Sequence, residues 1–233
     1  KKIIQGIHIE GPFLNSTLGY GGAHPKKHIL KPDVKIAKKL FDAADGLLRI
    51  FTLAPEKDEN NKVIKYLYSQ KVTVSAGHCN PELEELKSAI DAGLSMFTHL
   101  GNGCPQELQR HDNIIQRVLS LKENLWICFI ADGIHIPFYA LKNYITIAGI
   151  ENCIITTDAM AAAGAKSGKY TISSIELEVG DDRVVREPGK SNFAGSAITM
   201  KSSRLNLLKN IGLTNEEVHR LLYLNPLKAI GKL

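Results

Sequence analysis

Aromatic residues are scarce in this 233-residue chain, at 6%, and the sequence has no apolar run long enough to cross a membrane. So few aromatics exclude a base-stacking platform for nucleic acid. The net charge of +5 comes from scattered lysines and favours a solvated basic surface over a nucleic-acid partner. Without a membrane-length run or a visible signal peptide, we expect no membrane partner either. The remaining composition is that of an ordinary globular protein.

Cysteine is also sparse, with only Cys79, Cys104, Cys128 and Cys153 and no C-x-x-C spacing. This pattern predicts free thiols in a reducing compartment, and therefore a cytoplasmic protein, rather than a disulfide framework. Cys79 directly follows His78, but adjacent side chains on an extended segment point in opposite directions. We therefore expect Cys79 to be a packed thiol and not a second ligand.

Six apolar runs alternate with helical patterns, which is typical of βα units around a parallel sheet. The predicted strands are Ile3–Ile9, Leu47–Leu53, Val72–Ser75, Met96–Thr98, Leu125–Ile130 and Cys153–Thr157. The predicted helices are Val34–Ala44, Lys57–Gln70, Pro81–Ala92, Glu107–Leu121, Phe138–Ala148, Ser196–Lys209 and Thr214–Tyr223. For the third helix, Asn80 is the expected cap and Pro81 the expected first residue.

This order predicts an α/β fold of the (β/α)₈ TIM-barrel type, which needs eight strands and usually about 250 residues. Because only six strands are found and the chain has no initiator Met, we expect a truncated barrel whose first two strands precede Lys1. No shift in composition marks a boundary, so residues 1–233 are predicted to form a single partial catalytic domain. Alternating residues around Gly180-Asp181-Asp182 predict a β-hairpin insertion around residues 170–186.

A potential metal ligand follows three of the apolar runs: Glu10, His78 and His99. The carboxyl ends of neighbouring parallel strands converge on one face of a barrel. A carboxylate and two imidazoles suit Zn²⁺ with one open position for water. Each histidine alone is more often a hydrogen-bonded core residue, as we expect for His8, but the three together indicate a metallohydrolase. Gly77 before His78 is expected to let the backbone approach a ligand closely.

Three further residues stand where chemistry is expected, although each also has a structural interpretation. Asp158 ends the sixth predicted strand, where it could bind metal, act as a general base or cap the next segment. His135 follows the fifth strand, and Asp132 could orient it or cap a turn. His24 lies in a glycine-rich loop, and such loops often carry substrate contacts.

An anion site is predicted in the segment that follows His99. Gly101-Asn102-Gly103 offers backbone N–H groups, and Arg110 offers a guanidinium. The alternative is a simple turn, because most Gly-Asn-Gly triplets are turns.

Taken together, six motifs in series resemble the N-acetylglucosamine-6-phosphate deacetylases of the amidohydrolase superfamily. They are His-Ile-Glu-Gly-Pro-Phe-Leu-Asn (8–15), Gly-Ala-His-Pro (22–25), Ala-Gly-His (76–78), Thr-His-Leu (98–100), Ala-Asp-Gly-Ile-His (131–135) and Thr-Thr-Asp-Ala (156–159). The resemblance covers nearly the whole chain. It implies hydrolysis of the acetyl group of N-acetylglucosamine 6-phosphate, with release of glucosamine 6-phosphate and acetate.

The resemblance also implies which residues carry the reaction. Glu10, His78 and His99 match the metal ligands, Asp158 matches the catalytic carboxylate, and His24 matches the residue that polarises the acetyl carbonyl. The implied cofactor is a divalent metal, with Zn²⁺ favoured and Fe²⁺ or another ion as the alternative. The choice between one ion and two stays open, because the strand that would decide it is not in this chain.

The substrate positions are implied in the same way. His135 matches a sugar-contacting histidine, and Asn102, Gly103 and Arg110 match the positions that hold the 6-phosphate. The implied partners are a phosphorylated amino sugar and a second copy of the chain in a homodimer.

Departures from the family pattern lie at the termini and at the phosphate end. The terminal β-sandwich domain and the first two barrel strands are absent. The segment after His99 reads Gly-Asn-Gly-Cys-Pro instead of an aromatic residue followed by Asn-Ala-Met, and His-Asp-Asn instead of Glu-Pro-Gly follows Arg110. Two alternatives therefore remain: another amidohydrolase, such as a cyclic amidase or deaminase, and a non-catalytic sugar-phosphate binding protein.

Overall fold

The computed structural model describes residues 3–172, 175–188 and 193–233. The chain forms two compact units, one of Lys1–Ile127 with Leu227–Leu233 and one of Cys128–Pro226. Within the described residues, no helix combines the length and apolar character that a membrane span requires.

The first unit is built on parallel strands that are hydrogen-bonded in chain order. They are β1 (Ile7–Glu10), β2 (Leu48–Leu53), β3 (Thr73–Ala76), β4 (Leu94–Phe97) and the start of β5 (Trp126–Ile130). Fully buried side chains such as Phe51, Leu53 and Val74 form the core beneath this sheet. Because the strands are parallel, their carboxyl ends lie along one edge.

Helices α1 (Val34–Ala43), α2 (Lys62–Ser69), α3 (Leu83–Asp91) and α4 (Ile114–Ser120) lie between or after these strands. The α4 helix is shorter than the predicted Glu107–Leu121. It begins only after Asn113, whose side chain accepts hydrogen bonds from the backbone N–H groups of Ile115 and Gln116. The preceding residues therefore form a loop.

The predicted start of α3 is wrong by two residues. Its N-cap is Glu82, which forms a reciprocal capping box with Glu85. Asn80 is not the cap, and its side-chain Oδ1 instead accepts from Arg117 Nη1 at 3.4 Å. Pro81 accordingly precedes the helix.

The second unit contains the rest of β5 and its neighbour β6 (Cys153–Thr156). Helix α5 (Phe138–Ala148) has the predicted bounds. Strands β7 (Gly168–Ile172), β8 (Ile175–Val179) and β9 (Val185–Arg186) form a separate antiparallel sheet. Residues 173–174, within the predicted hairpin, lie outside the described residues.

The remaining helices are α6 (Met200–Asn206), α7 (Asn215–His219) and α8 (Asn225–Ala229), with π-helical turns at Leu207–Ile211 and Arg220–Leu224. A capping box of Thr214 and Glu217 begins α7.

Candidate metal centre

The carboxyl ends of β1, β3 and β4 bring the three predicted ligands together. Glu10 is the last residue of β1, and His78 and His99 each lie two residues past the end of their strand. One ligand atom from each side chain lies within 4.8 Å of the other two. These residues therefore form a cluster that could hold a metal ion.

The two imidazoles of the cluster converge on a single carboxylate oxygen. Glu10 Oε1 lies 3.1 Å from His78 Nε2 and 2.9 Å from His99 Nε2. The histidine side chains are only 8% and 4% exposed, and the glutamate side chain is 21% exposed. Burial opposes ionisation of Glu10, but the hydrogen bonds and charges of the two imidazoles outweigh it and hold its pKa well below the usual range. Glu10 is therefore a carboxylate at neutral pH.

The tautomer of His78 bears on whether a metal fits the cluster. Its Nδ1 donates to the carbonyl oxygen of Tyr20 at 2.7 Å. In the neutral imidazole, Nε2 then has no proton, and its lone pair faces the Glu10 carboxylate. Two acceptors at this distance need a proton or a cation between them, and an N,N,O donor set suits a borderline divalent ion. The residues present therefore fit the metal that the resemblance implies.

Left-handed backbone conformation is shared by three of the predicted site residues. The φ angles of His78, His99 and Asp158 are 51°, 27° and 48°, a region that few non-glycine residues occupy. The strain is offset locally, because Asn15 N donates to His78 O at 2.9 Å and Ser196 N donates to Asp158 O at 2.8 Å. Strained backbone of this kind clusters at functional sites and costs about 1–3 kcal/mol per residue.

The surroundings of Gly77 give a packing reason for a glycine before His78. A methyl carbon there would lie 2.2 Å from Thr98 Cγ2 and 2.9 Å from Thr52 Cγ2. Glycine is therefore required because the Thr52 and Thr98 side chains fill this space.

His24 also lies beside the cluster. Its ring is nearly perpendicular to that of His78, with centroids 4.8 Å apart. It belongs to the loop of residues 19–25, in which Tyr20 accepts the hydrogen bond from His78. The structure thus brings this predicted residue next to a predicted ligand.

The segment of residues 101–113, here called the 101–113 loop, begins at the cluster and extends to the surface. Asn102 Nδ2 donates to His99 O at 3.3 Å, so the start of the loop lies beside a ligand. Further on, Gln109 Oε1 accepts from the backbone N–H groups of His111 and Asp112. Arg110 is in this exposed part of the loop.

In the second unit, His135 is held by a carboxylate. Asp132 lies two residues past β5, and its Oδ2 accepts from His135 Nδ1 at 2.6 Å. Its Oδ1 accepts from the backbone N–H groups of Ile134 and His135, so Asp132 both orients the histidine and caps a turn. Burial raises the pKa of Asp132, but the bond from His135 reverses this and leaves the pKa below its ordinary value.

Asp158 lies two residues past β6, the offset that His78 and His99 have from their own strands. It is half-buried. The Ser196 hydroxyl donates to the carbonyl oxygen of Thr157, which adds to the support of this segment by Ser196.

Glu56 is a supporting residue that the sequence analysis missed. Its Oε1 accepts from Asn15 Nδ2 and from Asn80 N, both at 2.8 Å. It therefore links the segment after Glu10 with the segment after His78, and burial raises its pKa. Its position three residues past β2 was an available signal, because the other site residues also follow strand ends.

Arg117 was missed as well. Its guanidinium donates to Asp112 at 2.6 Å, to Glu82 at 2.8 Å and to the Pro81 carbonyl at 2.9 Å. The side chain is only 9% exposed. It fastens the 101–113 loop to the start of α3, and an arginine at a buried position of α4, next to Val118, was its signal in the sequence.

Comparison with known proteins places this geometry in context. No protein-family model matches the chain. It is 31% identical to the N-acetylglucosamine-6-phosphate deacetylase of Bacillus subtilis over 228 residues, or 98% of this chain and 56% of that protein. It is 29% identical to the N-acetylgalactosamine-6-phosphate deacetylase of Escherichia coli O157:H7 over 98% of this chain and 59% of that protein.

A solved structure gives the same result. A mutant of the Mycobacterium smegmatis N-acetyl-D-glucosamine-6-phosphate deacetylase, in complex with N-acetyl-D-glucosamine-6-phosphate, matches with a TM-score of 0.89 and 29% identity. The match covers 97% of this chain and 59% of that one. The chain thus spans a little over half the length of these proteins, and its strands match part of a TIM-type amidohydrolase domain. The resemblance predicted from the six motifs is confirmed: over nearly its full length, the chain is similar to the N-acetylglucosamine-6-phosphate deacetylases.

Proposed function

We propose that this chain is a catalytic part of a metal-dependent deacetylase. The reaction is hydrolysis of the N-acetyl group of N-acetylglucosamine 6-phosphate, which gives glucosamine 6-phosphate and acetate. The observation that carries the proposal is the buried cluster of Glu10, His78 and His99, whose donor atoms meet at the ends of three strands. Similarity to deacetylases of this type over nearly the full chain supports the same conclusion.

Glu10, His78 and His99 would hold the metal ion in this proposal. The donor set favours Zn²⁺, with Fe²⁺ as the alternative. When bound, such an ion supplies Lewis-acid polarisation and an activated water molecule.

Asp158 and His24 are the proposed catalytic residues. Asp158 accepts the proton of the water that attacks the acetyl carbonyl, and then delivers it to the leaving amine as the C–N bond breaks. His24 donates a hydrogen bond to the carbonyl oxygen as negative charge develops there. The role of His24 is supported by its place beside His78. The role of Asp158 is supported by its position just past the end of a strand.

Substrate recognition is assigned to residues on the surrounding loops. His135, held by Asp132, would contact the sugar through its Nε2. Asn102, Gly103 and Arg110 would hold the 6-phosphate through N–H groups and a guanidinium. We further propose a homodimer and, from the four free cysteines, a cytoplasmic location.

The test follows release of free amine by the zinc-loaded protein. Three substrates are compared: N-acetylglucosamine 6-phosphate, N-acetylglucosamine and N-acetylgalactosamine 6-phosphate. We expect turnover of the first and little turnover of the unphosphorylated sugar. Preferred turnover of the third would move the assignment to the other epimer, a candidate that the E. coli relative supports.

Two other outcomes would replace the proposal. If the loaded protein hydrolyses cyclic amides or deaminates bases but leaves all three sugars intact, it is a different amidohydrolase. If it binds the phosphorylated sugar and never turns it over, it is a sugar-phosphate binding protein. The comparisons favour neither alternative, because the matched relatives are deacetylases.

A further inference from the structure

Two glycines from separate loops touch the same edge of a proposed metal ligand. A methyl carbon added at Gly22 would lie 2.7 Å from His78 Cε1, and one added at Gly103 would lie 2.8 Å from His78 Nδ1. Real Cβ atoms do not occur at such distances, so only glycine fits at both positions while the ring stays in place. Their φ angles of +55° and +65° also favour glycine.

The imidazole ring of His78 is held by contacts on several sides. Its Nδ1 donates to Tyr20 O at 2.7 Å, and its Nε2 lies 3.1 Å from Glu10 Oε1. The side chain is 8% exposed, and the rings of His24 and His99 lie 4.8 and 4.9 Å away, each nearly perpendicular to it. A new methyl group would therefore tilt the ring, which moves Nε2, or displace one of the two loops that contact the ring.

We infer that Gly22 and Gly103 are positioning residues for metal binding. Because they have no side chain, the 19–25 loop and the 101–113 loop can close on the Nδ1–Cε1 edge of His78 and aim its Nε2 at the cluster. This inference rests on the metal site of the proposed function and is independent of the substrate. It assigns the two glycines a role in metal affinity, whatever contribution Gly103 makes to phosphate binding.

The chain offers a matched control for backbone strain. Gly46 has a φ of +74°, further into the disfavoured range than either glycine, and a methyl group there would meet nothing within 4 Å. Gly46→Ala therefore introduces the conformational strain of an alanine without contact to His78.

The experiment measures zinc affinity by competition with a chromophoric chelator in wild type, Gly22→Ala, Gly103→Ala and Gly46→Ala. We expect the first two variants to bind zinc roughly 10–100-fold more weakly, as changes around a ligand usually do. Gly46→Ala should stay within about twofold of wild type, since strain alone does not reach the ligand. Before zinc is added, the His78 ring signals in an ¹⁵N–¹H spectrum should shift in the first two variants and not in the control.

Several results would overturn the inference. Zinc affinity within about twofold of wild type in both Gly22→Ala and Gly103→Ala would show that the contacts do not position the ligand. Loss of fold in the metal-free variants would also contradict it, because the glycines would then act on folding and not on His78. A wild type that binds no zinc would instead contradict the proposed function, so the two failures are distinguishable.

Discussion

The metal centre and the 101–113 loop belong to the same unit, but they are held in place by different kinds of interaction. Glu10, His78 and His99 are placed by the sheet itself, each at or two residues past the end of a strand. Their side chains are largely buried and contact one another directly.

The exposed part of the 101–113 loop is held by its own side chains and by one tether. Gln109 accepts hydrogen bonds from backbone groups of the loop, and Asn113 Nδ2 donates to Gln109 O at 2.9 Å. Arg117 ties Asp112 to the neighbouring helix. The sheet thus fixes the proposed metal ligands, and a locally ordered loop carries the residues proposed to hold the phosphate. Sequence changes in the exposed part of the loop can therefore alter specificity without disturbing the metal centre.

The largest effect should follow removal of a ligand from the metal centre. In His99→Ala we expect metal affinity to fall by more than the roughly 100-fold that changes outside the ligand shell cause, with loss of activity. Metal content after dialysis, measured by mass spectrometry, checks this. His111→Ala, which removes an exposed histidine of the 101–113 loop, is the control and should retain its metal. Equal metal contents in His99→Ala and His111→Ala would show that the cluster matters no more for metal binding than the exposed loop does.

Asp158→Asn should separate metal binding from turnover. The amide keeps the size of the side chain but cannot take a proton, so kcat should fall by about 10²–10⁴ while metal content stays at the wild-type level. Steady-state kinetics and metal analysis on the same sample test both parts. Full activity in this variant would contradict the role proposed for Asp158.

Arg110→Gln should act on the substrate and not on the metal. Loss of a charge-assisted bond to phosphate is expected to raise KM for N-acetylglucosamine 6-phosphate about 10–100-fold, with metal content unchanged. The weak turnover of the unphosphorylated sugar should not change. If KM rises equally for both sugars, Arg110 does not bind the phosphate.

A smaller effect should follow loss of the loop tether. Asp112→Asn weakens the contact with Arg117 and should raise KM for the phosphorylated sugar only a few fold, because the carboxylate of this ion pair is exposed to solvent. Glu82→Gln is the matched control, since Glu82 contacts the same guanidinium from outside the loop. Identical kinetics in the two variants would show that the tether does not order the loop.

The smallest predicted effect extends the comparison to the second unit. Asp132 lies two residues past β5, as the two ligand histidines lie two residues past β3 and β4. The pKa of Asp132 lies below its ordinary value of 3.8. Because Asp132 ionises more readily in the folded chain than in the unfolded chain, its negative charge stabilises the fold above pH 3.8. This stabilisation is lost as the pH falls through the pKa of Asp132 in the folded chain. Asp132→Asn should therefore lower the melting temperature by a few degrees at pH 7, and the difference should close below pH 3.8. A difference independent of pH would show that the charge of Asp132 is not involved.

The sequence predicts the sheet and the strand-end residues well because both depend on local pattern. Apolar runs mark β2, β5 and β6 to within a residue or two, and the polar residue after a run marks Glu10 and His78. The predicted hydrogen bond of His8 is present, with Thr52 Oγ1 as the partner at 2.8 Å, but its predicted core position is wrong because His8 is exposed. Cys79 is a packed thiol as expected, at 1% exposure.

Features that depend on individual hydrogen bonds could not be predicted in this way. The helix pattern from Glu107 continues into α4, but the Gln109 and Asn113 side chains satisfy backbone groups and delay its start to Ile114. The side-chain oxygen of Asn80 does not cap α3 and accepts from Arg117, which is 37 residues later in the chain. The partner of His78 Nδ1 is a backbone carbonyl, which leaves no trace in the side-chain pattern.

The most direct test of the account is anomalous diffraction at the zinc edge from crystals of the zinc-loaded protein. We expect a peak bonded to Glu10, His78 Nε2 and His99 Nε2, at the distance of about 2.0–2.2 Å that is usual for such ligands. A peak at other side chains, or none at this cluster in zinc-loaded protein, would contradict the claim that the ends of β1, β3 and β4 form a metal centre.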